Sequence, residues 1–172
     1  MIQKQARRLQ GVFLASDVVA TCAALLAAWA IRFETVWPVP LGVQPLANYA
    51  SLLPVIAVLW PVVFYFHRLY QLRRDRSTID EALAIVMAAS LATLFLVGFL
   101  SFQRAWSFNR ALLVLFLLLD VLLVSLGRFA IWSYLEKVWS AGVGVRRALV
   151  VGAGSVGRSI VEKLVDHPAL GL

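Results

Sequence analysis

Four long, nearly uncharged apolar runs constrain this chain more than any other feature of its sequence. An α-helix needs roughly 20 apolar residues to cross a hydrocarbon core of about 30 Å, and a span in lipid must satisfy its own backbone hydrogen bonds. Hydrophobic residues make up 62% of the chain and charged residues only 15%, against about 45–50% and about 25% in typical soluble domains. We therefore predict four transmembrane helices, at about 11–31, 49–66, 82–102 and 111–132.

The basic residues predict how these spans are oriented. The formal net charge is +7, and Lys and Arg are enriched in cytoplasmic loops next to spans. Two of the loops are poor in basic residues. Basic residues cluster before the first span, after the second and after the fourth: Lys4, Arg7, Arg8; Arg68, Arg73, Arg74, Arg76; Lys137, Arg146, Arg147. Both termini and the 67–81 loop are therefore predicted to be cytoplasmic, with the lipid bilayer as partner and a homo-oligomer left open.

Nucleic acid is not expected as a partner, because the basic residues flank apolar runs and form no patch interleaved with aromatic residues. The single cysteine, Cys22, excludes an intrachain disulfide and a cysteine-rich metal site. Thr78 and Glu81 have the spacing of a capping box at the start of the third helix.

Two acids lie inside predicted spans, Asp17 and Asp120. Charged side chains are costly in lipid, so both are expected to face other helices and to have partners. Arg128 lies near the cytoplasmic end of the fourth span, and we predict a buried Asp17–Arg128 pair. The sequence names no partner for Asp120. Structural contacts within the bundle and a proton or ion pathway are both open interpretations.

The second span contains Pro54 and Pro61. Each proline removes a backbone donor and bends a helix. A kinked structural span and the broken helix of a transporter are the two interpretations of this pattern.

The last part of the chain predicts a different architecture. Residues 132–145 read as an interfacial helix and linker, and 147–151 as a buried parallel strand. A glycine turn with Gly152, Gly154 and Gly157 and an amphipathic helix follow, the context in which G-x-G-x-x-G can bind a nucleotide phosphate. The predicted fold class is thus an all-α four-helix transmembrane bundle (1–131), then the first βα unit of an incomplete Rossmann-like domain (146–172), expected to continue past Leu172.

Several short motifs occur in an order typical of one family. They are Ile31-Arg32-Phe33, Leu69-Tyr70, Ser77-Thr78-Ile79-Asp80-Glu81, Phe108-Asn109-Arg110, Gly127-Arg128, Arg146-Arg147-Ala148-Leu149-Val150-Val151-Gly152-Ala153-Gly154 and His167-Pro168-Ala169-Leu170-Gly171. The chain resembles the amino-terminal part of bacterial polyprenyl-phosphate sugar-1-phosphate transferases, of the undecaprenyl-phosphate glucose phosphotransferase type. Asn109 departs from the family pattern, which often has serine at that position.

The resemblance implies an inner-membrane enzyme that moves hexose-1-phosphate from a nucleotide sugar to undecaprenyl phosphate, initiating exopolysaccharide or O-antigen synthesis. It also implies that the catalytic acids and the magnesium site lie in a carboxy-terminal domain outside these 172 residues. No catalytic residue or metal ligand is therefore assigned, and this chain alone is expected to be inactive.

Two other functions remain open. One is a membrane-bound nucleotide-sugar 4,6-dehydratase or epimerase, which begins with a similar bundle and glycine-rich unit but tends to carry tryptophan in the basic run after the second span. The other is a non-enzymatic sensor or transporter with a nucleotide-binding tail.

Overall fold

The computed structural model describes residues 2–34, 45–71, 78–102 and 109–140, together with Gly154. Helices account for nearly all of them: α1 Ile2–Glu34, α2 Leu46–Ala50, α3 Leu53–Phe66, α4 Thr78–Phe102 and α5 Arg110–Ser140. These ranges contain no β-strand. The described part of the chain is therefore all-helical.

Within those ranges, four helical segments are long and apolar enough to cross a membrane: Arg7–Glu34, Leu46–Phe66, Ile79–Phe102 and Arg110–Val138. The predicted number of spans is confirmed, and each predicted span lies inside one of these segments. The helices extend past the predicted limits because hydropathy marks only the apolar window, whereas backbone hydrogen bonding continues into the charged flanks. The 33 residues of α1 reach about 50 Å at 1.5 Å per residue.

Helix α5 buries charged side chains together with apolar ones and exposes an apolar outer face. Every fourth residue from Leu112 to Arg128 is buried, and the middle member of this row is Asp120, with no exposed surface. Leu118 and Leu122, on the outer face, are 63% and 52% exposed. A helix in water would instead carry polar residues on its outer face. The outer surface of this bundle therefore suits lipid as its solvent.

The second span is built from two helices rather than one kinked helix. A turn at Ser51 and Leu52 separates α2 from α3, and the Ser51 hydroxyl donates to the Asn48 carbonyl at 2.7 Å. Pro54 lies in the first turn of α3, where its missing N–H removes no helical hydrogen bond. The expected bend at Pro54 is therefore replaced by a break before it, whereas Pro61 does lie inside α3.

The carboxy-terminal predictions fall mostly outside the described residues. The predicted interfacial helix is present up to Ser140 as a continuation of α5, and 141–145 are not described. The predicted strand at 147–151, Gly152, Gly157 and the helix after them also lie outside the described part. Gly154 is described, and it lies exposed in a bend. Among the described residues, none has an atom within 4 Å of a Cβ added at this position.

Candidate functional site

Arg128 is the centre of a buried group of charges at the end of the bundle where α3 ends and α4 begins. Its side chain is 3% exposed, and that of Asp17 on α1 is 1% exposed. Arg128 Nη2 donates to Asp17 Oδ2 at 2.7 Å, and Nε donates to Oδ1 at 3.2 Å. This is the two-pronged contact that a guanidinium makes with a carboxylate. The predicted Asp17–Arg128 pair is confirmed.

The remaining arm of the guanidinium binds two more elements. Arg128 Nη1 donates to the backbone carbonyl of Leu69 at 3.0 Å and to Glu81 Oε1 at 3.1 Å. Glu81, in the first turn of α4, is 21% exposed. Arg128 thus joins α5 to α1, to the turn after α3 and to the start of α4. We call Asp17, Leu69, Tyr70, Glu81 and Arg128 the Arg128 cluster.

Aromatic rings surround the same guanidinium. Arg128 Cζ lies 5.5 Å from the ring centroid of Phe13, 5.9 Å from that of Phe64 and 5.6 Å from that of Tyr70. The negative ring faces attract a desolvated cation within about 6 Å. Burial raises the pKa of the Tyr70 hydroxyl above its ordinary value, and the negative charge of Asp17 raises it further. Tyr70 therefore stays neutral beside the pair.

The turn after α3 aims the Leu69 carbonyl at Arg128. The Leu69 N–H donates to the Phe64 carbonyl and the Arg68 N–H to the Tyr65 carbonyl, both at 3.0 Å. These two bonds form the Schellman motif, which usually has glycine at the left-handed position. Here Arg68 occupies that position with a φ of 56°. The strained turn places Leu69 and Tyr70 against the bundle.

A second polar contact lies among the buried side chains of α3 and α5. Trp60 Nε1 donates to Asp120 Oδ2 at 2.7 Å, and both side chains are fully buried. The Trp60 ring also packs on Phe116, with centroids 5.3 Å apart. Sequence reasoning missed this partner. The available signal was a tryptophan in the middle of a span, because tryptophan in membrane proteins is enriched at the interfaces.

Of the three predicted nucleotide-binding glycines, Gly154 lies in the described part of the chain, and Gly152 and Gly157 lie outside it. In the described ranges, no group of three or more His, Cys, Asp or Glu side chains could hold a metal ion. Cys22 is a free, half-buried thiol.

The Arg128 cluster is a network of ion pairs and hydrogen bonds that links helices. Three of its charged or polar side chains, those of Asp17, Tyr70 and Arg128, are buried, and removing one partner of a buried ion pair leaves the other charge uncompensated. The cluster fixes how α1, α4 and α5 lie against the turn after α3. Comparison with protein-family models, with curated proteins and with solved structures finds no match.

Proposed function

We propose that this chain is the membrane-anchoring part of a bacterial sugar transferase that moves hexose-1-phosphate from a nucleotide sugar to undecaprenyl phosphate. The reaction would begin the synthesis of an exopolysaccharide or O-antigen repeat unit. In this proposal the bundle holds and orients a catalytic domain at the lipid surface. Magnesium and both substrates would bind that domain, which the 172 residues do not include.

The Arg128 cluster is the observation that carries the proposal. Three of the short motifs behind the family resemblance, Leu69-Tyr70, Ser77–Glu81 and Gly127-Arg128, lie far apart in the sequence. Each of them contributes a residue to this one cluster. Motifs that arose by chance would have no reason to meet in space, whereas motifs that build one structural unit would.

The proposal includes a place in the cell. We place the chain in the bacterial inner membrane with both termini in the cytoplasm. Lys and Arg flank the end of the bundle where α1 begins, α3 ends and α4 begins, and cytoplasmic flanks carry this bias. The Arg128 cluster would then lie at the cytoplasmic side, where undecaprenyl phosphate and a nucleotide sugar can meet.

Residues 146–172 belong to the proposal as the first βα unit of a Rossmann-like domain. Gly152, Gly154 and Gly157 would form its phosphate-facing turn, with a nucleotide as the possible ligand. The exposed position of Gly154 is compatible with a phosphate approaching the backbone.

A chimeric enzyme tests the function. Residues 1–172 replace the corresponding amino-terminal part of a polyprenyl-phosphate sugar-1-phosphate transferase, in cells that lack their own. We expect isolated membranes to transfer labelled sugar phosphate from the nucleotide sugar to undecaprenyl phosphate. The 172-residue chain without the added catalytic domain is expected to insert in membranes and to transfer none.

Matched variants make the result specific. The Arg128→Ala chimera should lose most transfer, because the helices are no longer fastened, while Arg110→Ala, at an exposed position of the same helix, should keep it. The same replacement is made in a membrane-bound 4,6-dehydratase. A chimera that inserts but transfers no sugar phosphate, beside a dehydratase chimera that is active, would favour the dehydratase and refute the proposal.

A further inference from the structure

Asp120 differs from Asp17 in having no cation beside it among the residues that the structure describes. One of its oxygens, Oδ2, accepts the Trp60 N–H, and the other, Oδ1, is buried without a hydrogen bond. The Thr21 side chain of α1 lies next to the same carboxyl group, and its buried hydroxyl also makes no hydrogen bond of good geometry. Two buried polar atoms without a hydrogen-bond partner, Asp120 Oδ1 and Thr21 Oγ1, therefore belong to neighbouring side chains of α5 and α1.

The charged groups around Asp120 make an ionised carboxylate unfavourable there. From α1, Asp17 acts on it with a like charge, and α3 contributes the neutral Trp60. Arg128, two turns along α5, is bound to Asp17, Leu69 and Glu81. The described side chains of α4 carry charge only at Asp80 and Glu81, in its first turn.

The two protonation states of Asp120 can be compared by counting donors and acceptors. The ionised carboxylate only accepts hydrogen bonds, so it would bury a charge with only two neutral donors, Trp60 and Thr21, beside it, which is costly. The protonated acid has one O–H to donate. Its Oδ2 can then act as the carbonyl that accepts from Trp60, while its Oδ1–H donates to the Thr21 oxygen. This second arrangement satisfies all three side chains without burying a charge.

We propose that Asp120 and Thr21 form a proton-binding site inside the bundle, with the proton on Asp120 Oδ1 and donated to Thr21 Oγ1, while Asp17 stays ionised beside Arg128. The same side chains can accommodate the release and the rebinding of this proton. When Asp120 releases the proton, the Thr21 hydroxyl can rotate and donate to Oδ1, and Trp60 continues to donate to Oδ2. Two aspartates of one bundle thus differ in charge, with Asp120 neutral and Asp17 negative.

Replacing each aspartate with its isosteric amide, asparagine, distinguishes the protonated acid from the ionised one. Asparagine carries a carbonyl and an N–H donor, as a protonated acid carries a carbonyl and an O–H, so Asp120→Asn should keep both contacts. Asp17→Asn, the matched control, removes the charge that Arg128 requires. In thermal unfolding of the full chain in detergent micelles, we expect Asp120→Asn to leave Tm nearly unchanged and Asp17→Asn to lower it by about 10 °C.

Infrared spectroscopy reads the proton itself. The wild-type chain should show the carbonyl stretch of a protonated carboxylic acid, shifted by deuterium exchange and absent from Asp120→Asn. In Thr21→Val the band should persist but move to higher frequency, because the acid loses its acceptor. This shift assigns the band to the Asp120–Thr21 site independently of the Asp120→Asn variant. A wild-type spectrum without the band, or an Asp120→Asn chain destabilised as much as Asp17→Asn, would overturn the proposal.

Discussion

Arg128 illustrates at the scale of single residues how a cation is kept inside an apolar bundle. Its planar fork reaches three acceptors on three different elements, and aromatic faces surround its carbon. A lysine has one nitrogen and no fork, so it cannot reproduce the two-pronged contact with Asp17. The desolvation of the guanidinium is offset only while these acceptors are present.

The first prediction concerns the coupling between Asp17 and Arg128. Asp17→Asn and Arg128→Ala should each lower the free energy of unfolding by about 3 kcal/mol, because each leaves one charged partner buried and unpaired. The double variant should cost no more than either single variant, since the second change removes a charge that is already unpaired. Thermal unfolding in detergent measures this, with Arg110→Ala as the control at an exposed arginine. Plain additivity of the two single effects would contradict the pairing.

At the scale of elements, a local approach of α5 to α1 at Gly127 accompanies the Arg128 cluster. Gly127 precedes Arg128, and a Cβ atom there would come within 3.1 Å of the Ser16 hydroxyl oxygen on α1. Small residues allow helix backbones to approach closely in membranes. The helices can therefore meet where Arg128 must reach Asp17 across the interface.

The second prediction follows from this contact. Gly127→Ala should be nearly neutral, because the Ser16 hydroxyl can rotate away and alanine favours the helix by about 1 kcal/mol over glycine. Gly127→Leu should lower Tm by several degrees, on the order of 5 °C, by forcing α1 and α5 apart. Gly98→Leu is the matched control, since Gly98 is exposed and has no atom within 4 Å of an added Cβ. Equal Tm losses in the two leucine variants would exclude the packing explanation.

At the scale of the whole molecule, the sequence predicts what depends on composition along the chain and misses what depends on helix rotation. The four spans follow from apolar length, and the Asp17–Arg128 pair follows from opposite charges at matching depths. The bond between Trp60 and Asp120 depends on which faces of α3 and α5 meet, which hydropathy does not encode. The bond between Glu81 and Arg128 was missed in the same way, because the sequence does not encode that the start of α4 lies beside Arg128.

The third prediction tests the topology that the whole molecule requires. An even number of spans returns the chain to the side where it began, and the basic flanks predict that this side is the cytoplasm. Fluorescent protein fused after Leu172 should therefore fluoresce, and alkaline phosphatase at the same position should be inactive. Phosphatase fused after Pro40 or Trp106, in the two loops poor in Lys and Arg, should be active, and all fusions should resist a carbonate wash. Because an odd number of spans would reverse the activities after Leu172 alone, an active phosphatase there would disprove the four-span arrangement even if the first three spans were correct.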